Sequence, residues 1–366
     1  MTTPPEEPYA LASVPPPGEG EVKAVAASFV GGGQHVPGPA GRSPRRLRAL
    51  AEVLLVGVAA VWGWTFVLVK DAVAQYPTLP FLALRFALAT LAIVPVVLLR
   101  RKGWAGRLPL HLRSGAVMGI FLSAGYVFQT VGLERTSASN AGFITGLFVV
   151  FVPLLQAVVL RVRPSRFAWL GVVLAAVGLL LLSGGTAELK LAGDGLVLLC
   201  AAAFAAHILA THRYAGRMDV VLLTAVQLGT VTLITGTLSV IFSLAGVIPA
   251  LQLPRSTEVI WALVITALLA STGAFFIQTF AQRHAPPTQT AIILTFEPVF
   301  AGLFGYLLAG DQWNFIRAIG AVLIVTAMAV AEVGPRMARA RERRRCAGLP
   351  PVEALGEAAD VEMRLE

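Results

Sequence analysis

Glu297 is a carboxylate in the middle of an apolar run. Pro287 to Leu308 holds enough residues to cross a bilayer, at about 1.5 Å of rise per residue. An acid at that depth must face a cavity or a partner rather than lipid. It suits proton acceptance, or countering a cationic ligand. The structural alternative is a buried acid hydrogen-bonded to Thr295 or paired with Arg85. Pro298 follows it, removing a backbone donor and freeing the carbonyl one turn earlier, which locally breaks the helix. Arg85 lies about five residues inside its own run. It suits an anionic group, and the competing expectation, slightly favoured, is that it snorkels to the interface. Trp62, Trp64 and Thr65 sit more than a turn inside the first run, where an aromatic face can hold an apolar or cationic ligand. His207 suits a proton relay, though packing is the commoner use of such a residue. Gln129, Asn140, Gln227, Gln278 and Gln289 are polar and uncharged, fit for ligand binding or for hydrogen bonds between helices.

These residues recur in pairs. AAVWGWTFVLVK (59–70) aligns without gaps on AAAFAAHILATH (201–212). In that register Thr65 matches His207, Lys70 matches His212, Arg85 matches Gln227 and Thr90 matches Thr232. Lys70 and His212 read as helix ends. Gln129-Thr130 is echoed by Gln278-Thr279, and Ser137, Ser139 and Asn140 by Thr288, Gln289 and Thr290. The chain is two copies of one unit.

The elements that must position them are apolar helices. Of 366 residues, 56% are hydrophobic and 13% charged, about half the charged fraction of a soluble domain. An all-α polytopic membrane protein is expected. Ten apolar runs are read, at 49–69, 79–99, 113–133, 138–160, 166–183, 194–212, 220–246, 258–280, 287–308 and 315–333. Residues 1–48, rich in Pro and Gly, read as a disordered tail. Residues 49–185 read as a first five-helix repeat, 192–334 as a second, and 335–366 as a charged tail. Close to the apolar runs, twenty-one Arg and Lys fall on alternate connections and the adjoining parts of the two tails, and five (Lys70, Arg135, Lys190, Arg255 and Arg317) on the opposite connections. Both termini are therefore expected in the cytoplasm, with the chain in the cytoplasmic (inner) membrane. Five spans per repeat turns the second copy upside down. That is the inverted-repeat architecture of secondary transporters, with a site near the midplane where the repeats meet.

Residues 50 to 333 resemble the EamA-type transporters of the drug/metabolite transporter superfamily. The marks are VWGWTFVLVKDA, PFLALRFALA, SASNAGFITGLFVVFVPLLQAVVLRVRPSRFAWLGVVLAAVGLLLL and PTQTAIILTFEPVFAGLFGYLLAGDQW, with the Gly-rich tenth run. Each is weak alone; order, spacing and duplication make them specific. The chain departs from the common Leu-Gly-Glu ending of the fourth and ninth runs. It has Arg161-Val162-Arg163 and Ala309-Gly310-Asp311 there. The resemblance implies a ten-helix bundle with a central cavity and alternating access, often outward, for small metabolites or amphipathic compounds.

Other classes find no support. There is no HExxH, GxSxG, Walker A loop or Cys/His cluster with metal spacing. No enzyme, cofactor or metal site is expected, and ATP-driven transport by this chain alone is excluded. The net charge of +9 sits in short clusters between apolar runs, without the aromatic interleaving that binds bases, so no nucleic-acid partner is expected. Cys200 and Cys346 are too differently placed to form a disulfide framework. The expected partners are the bilayer and a small-molecule substrate. The rival readings are a non-transporting scaffold or sensor, and a channel.

Overall fold

A computed structural model of the chain describes residues 44–100, 108–160, 166–182, 191–249, 252–285, 287–294, 296–308, 310 and 314–346. The chain divides into Met1–Arg42 and Ser43–Glu366, and all of the described residues belong to the second unit. Every regular element among the described residues is helical. Among the described residues, seven stretches are long and apolar enough to span a membrane: Leu50–Gln75, Thr78–Arg100, Leu108–Leu133, Asn140–Val159, Leu191–Ala215, Val220–Leu244 and Thr257–Gln282.

Helix α1 (Pro44–Gln75) begins at a proline, tolerated in a first turn because that N–H has no helical partner. It ends one residue before the Tyr76-Pro77 pair, since proline drives its predecessor out of the helical region. Helices α2 (Thr78–Arg100) and α3 (Leu108–Leu133) follow. The fourth run forms α4 (Ala138–Gly146) and α5 (Phe148–Leu160). Ser137 caps α4, its hydroxyl accepting the Asn140 N–H at 3.1 Å. Between the two, the Leu147 N–H bonds the Ile144 carbonyl, a tightened last turn. Next come α6 (Arg166–Leu182), α7 (Leu191–Ala215) and α8 (Val220–Leu244). Asp219 caps α8 through the Leu222 N–H at 3.0 Å. At its other end Gly246 turns at φ 72° and the Val247 N–H reaches back to the Phe242 carbonyl, a Schellman closure that favours glycine.

The eighth run starts as α9 (Thr257–Ile265), widens to a π-helix over Thr266–Gly273 and continues as α10 (Ala274–Gln282). The ninth is described as α11 (Pro287–Leu294) and α12 (Phe296–Leu308), with Thr295 outside the described residues. Helix α13 (Phe315–Cys346) runs past the apolar residues into the Arg-rich segment, instead of ending near residue 334. Ala, Arg, Glu and Met are good helix formers, so the change from apolar to charged does not stop it. Helix α1 likewise starts before residue 49.

Two pairs of matched runs, the second with the seventh and the fifth with the tenth, pack on each other, and unmatched runs pack across the copies. Helix α2 lies against α8, and α6 against α13; α3 packs on both α7 and α8, and α1 on α12. At the α2–α8 seam the hydroxyls of the repeat mates Thr90 and Thr232 stand 3.1 Å apart. Large side chains on the outer faces, such as Leu99, Leu233 and Leu244, are exposed, as suits a lipid-facing surface. Polar side chains, among them Arg85, His207, Gln227, Gln278 and Glu297, are buried inside.

Candidate functional site

Between these helices lies a cavity lined by side chains of both copies. Of the residues singled out from the sequence, Trp62, Thr65, Arg85, Gln129, His207, Gln278 and Glu297 line it. Trp64 is half-buried on α1 and outside the lining. Asn140 gives its backbone N–H to the α4 cap. Gln227 lies behind the wall rather than on it: its Oε1 is 2.8 Å from His207 Nε2, and its amide donates to Thr279 Oγ1 at 3.3 Å. The side chain of Gln289 is outside the described residues, as are Thr295, residues 161–163 and residues 309 and 311.

Arg85 does not snorkel. It is 2% exposed, its Nε–H donating to Ser271 Oγ at 3.0 Å and an Nη2–H to the Tyr126 hydroxyl at 3.3 Å. The guanidinium carbon stands 4.7 Å from the Tyr126 ring centroid and 5.2 Å from that of Phe86. Acceptors and ring faces together replace the water that a snorkelling arginine would seek. Both donated bonds go to neutral groups, so the pairing with Glu297, one of the structural alternatives, does not form among the described residues. Glu297 is 4% exposed, in the first turn of α12, and no hydrogen bond or ion pair holds its carboxylate among the described residues.

The π-helix builds the Arg85 side of the wall. Its wide turn withdraws carbonyls from ordinary helical bonds. The Trp62 Nε1–H takes up the Ala270 carbonyl at 2.8 Å, Ser271 meets Arg85, and Thr272 Oγ1 lies 3.0 Å from the Ala89 carbonyl. Aromatic rings complete the surface. Trp62 and Phe275 have centroids 5.3 Å apart, Tyr126 and Phe204 5.4 Å, and His207 and Phe275 5.8 Å. Tyr126, Phe204 and Phe275 are lining residues that reasoning from polarity passed over. The duplication contained the signal. The register of 59–70 on 201–212 places Phe204 under Trp62, and extending the Gln129–Gln278 match places Phe275 under Tyr126.

That second register also aligns Phe148 with Glu297 and Thr145 with Leu294. The copies are therefore not equivalent. Gln129 donates to Thr145 Oγ1 at 3.1 Å, whereas the Gln278 amide oxygen is buried without a partner among the described residues. At the edge, Lys70 donates to the Leu133 carbonyl and, at 2.6 Å, to the Thr136 carbonyl, a cation at the C-terminal end of α3. Its mate His212 stands against the backbone of Gln282 and Ala285, the corresponding positions of the second copy.

Known proteins agree with this picture. The family model of the EamA-like transporter family matches residues 49–184 and again 191–332. The chain is 32% identical over 286 residues to an uncharacterized transporter of Archaeoglobus fulgidus, covering 78% of this chain and 87% of that one. It is 22% identical over 277 residues to the uncharacterized transporter YoaV of Bacillus subtilis, covering 74% and 92%. A solved crystal structure superposes with a TM-score of 0.58 at 18% identity over 78% of this chain and 98% of its own, a likeness of fold. This is a multi-pass membrane protein, and it belongs to the EamA-like transporter family.

Proposed function

We propose that this chain is a secondary carrier that exports a small metabolite or amphipathic compound across the cytoplasmic membrane by alternating access. The observation that carries the reading is the pairing of the cavity wall. Trp62 and Phe204, Thr65 and His207, and Gln129 and Gln278 each contribute one residue from each copy to one cavity. Two copies of opposite orientation around a shared site can rock against each other and open it to either side. In this reading the ten apolar runs are ten spans, with repeats at 49–185 and 192–334. The tails at 1–48 and 335–366 lie on the cytoplasmic side, as the Arg and Lys bias requires.

The test is access to the cavity from both sides. Thr65→Cys, in a Cys200→Ala/Cys346→Ala background, should react with an impermeant thiol reagent in right-side-out and in inside-out vesicles. Reaction from one side only contradicts alternating access.

A further inference from the structure

The two copies fasten one end each with the same device and different chemistry. In the first copy Lys70, near the end of α1, donates to the carbonyls of Leu133 and Thr136, where α3 ends. In the second copy its mate His212, near the end of α7, stands against the backbone of Gln282 and Ala285, where α10 ends. Gln282 and Ala285 are the mates of Leu133 and Thr136 in the Gln129–Gln278 register. The last carbonyls of a helix have no helical partner and favour a cation. An ammonium carries three N–H donors and serves both backbone positions. A neutral imidazole carries one N–H and serves one of them, whereas an imidazolium carries two and serves both. His212 is half-buried, and its Nδ1 has no hydrogen-bond partner among the described residues.

The seam that His212 fastens closes one end of the cavity. Phe204, His207 and Ile208 of α7 line the space, as do Phe275 and Gln278 of α10. One turn further on, Thr211 and Gln282 are buried, and the Gln282 amide donates to the Ile208 carbonyl at 2.9 Å. His212 lies beyond them, at the end that the orientation proposed above places toward the cytoplasm. We propose that His212 is a pH-sensitive clasp: its protonation completes the fastening of α7 to α10 and holds the cavity shut toward the cytoplasm, and its deprotonation lets the seam part. This rests on the carrier reading above and deepens it, as a regulation of the same site. Lys70 keeps its charge across the physiological range, so the opposite end does not respond. The helices packed on α7 are α3, α4, α5, α10 and α11. Of these, α3 brings His111 and Arg113 to this end, Arg283 and His284 follow α10, and the described residues of α4, α5 and α11 carry no titratable group. Helix α7 adds Arg213 and Tyr214, and the turn after it Arg217 and Asp219. The Asp219 carboxylate caps α8, and its N–H donates to His111 Nε2 at 3.2 Å. The end of α10, rather than an acid, is therefore what a charged His212 meets.

The test is the separation of α7 from α10, read by electron paramagnetic resonance on the full-length protein in lipid nanodiscs. Spin labels go on Gly216→Cys and His284→Cys, both exposed positions, in the Cys200→Ala/Cys346→Ala background. A Cβ at Gly216 meets nothing within 4 Å, and His284→Cys also removes a second histidine from this end. Going from about pH 8 to about pH 5.5, which brackets the ordinary histidine range, the closely spaced fraction should rise at least about twofold. His212→Lys should keep that fraction high at both pH values, and His212→Gln should keep it low at both. A separation that ignores pH with His212 intact overturns the proposal. So does a pH response that survives His212→Gln, which would assign it to His111, and so does a His212→Lys protein that parts as His212→Gln does. The two readings fail separately. A seam that answers pH in a protein without saturable counterflow keeps the clasp and removes the carrier. Saturable counterflow with a seam indifferent to pH keeps the carrier and removes the clasp.

Discussion

Gly63 and Gly57 lie on the same helix, and the structure predicts opposite outcomes when each becomes alanine. A Cβ at Gly63 would sit 2.5 Å from Phe300 Cβ, 2.7 Å from the Ala301 nitrogen and 2.9 Å from the Glu297 carbonyl oxygen. Ordinary carbon contacts begin near 3.4 Å, so α12 must retreat by close to an ångström. Two of the three atoms are backbone and cannot rotate away. Overpacking of this kind costs about 1–3 kcal/mol. A Cβ at Gly57 meets nothing within 4 Å, and there alanine gains about 0.5–1 kcal/mol of helix propensity. The propensity gain is common to both sites, so the pair should differ by the overpacking cost, about 1–3 kcal/mol. Thermal unfolding in one detergent, followed by loss of monodisperse protein, ranks them. Gly63→Ala should fall below the parent and Gly57→Ala should match or exceed it. Gly63→Ala should also weaken ligand binding, because α12 carries Glu297. A Gly63→Ala protein as stable as Gly57→Ala would refute the close seating of α12 on α1.

Other consequences are as direct. Thr90→Cys with Thr232→Cys, in the Cys200→Ala/Cys346→Ala background, should form a disulfide under mild oxidation, since the native hydroxyls are 3.1 Å apart; electrophoretic mobility with and without reductant reads it. Trp62→Phe keeps the ring and removes the N–H, leaving the Ala270 carbonyl without its partner, and should cost about 1–3 kcal/mol in thermal stability. Ser271→Ala removes one of the groups holding Arg85, and should lower affinity for anionic probes more than for neutral ones in isothermal titration. For topology, a cysteine at Arg107 in intact cells should resist an impermeant reagent and one at Lys190 should react; labelling at Arg107 would reverse the orientation.

The membrane class and the helical runs were legible because an apolar span needs little more than length and composition. Most polar cavity residues were legible for a related reason: a glutamine or glutamate inside such a run must face inward. What polarity could not supply was direction among helices. Arg85 is close enough to its helix end to reach the interface. Its actual course depends on Ser271, 186 positions away, and on a π-turn that no local pattern announces. Gln227 is as polar as Gln129, but it faces His207 because α7 and α8 converge there. Tyr126, Phe204 and Phe275 look like ordinary core in an apolar run, and only the repeat register separates them from the other aromatic residues. Hydropathy does not mark the helical ends near residues 44 and 346, because helix propensity carries a helix beyond the bilayer.

The central claim is that the space between the two copies is a carrier site. Counterflow tests it most directly. Proteoliposomes loaded with an unlabelled ligand found by titration are diluted into trace amounts of its labelled form. The account predicts transient accumulation of label that saturates with concentration and is lost in Arg85→Gln and Glu297→Gln. Uptake that rises linearly with concentration, or a bound ligand that never crosses, would contradict it.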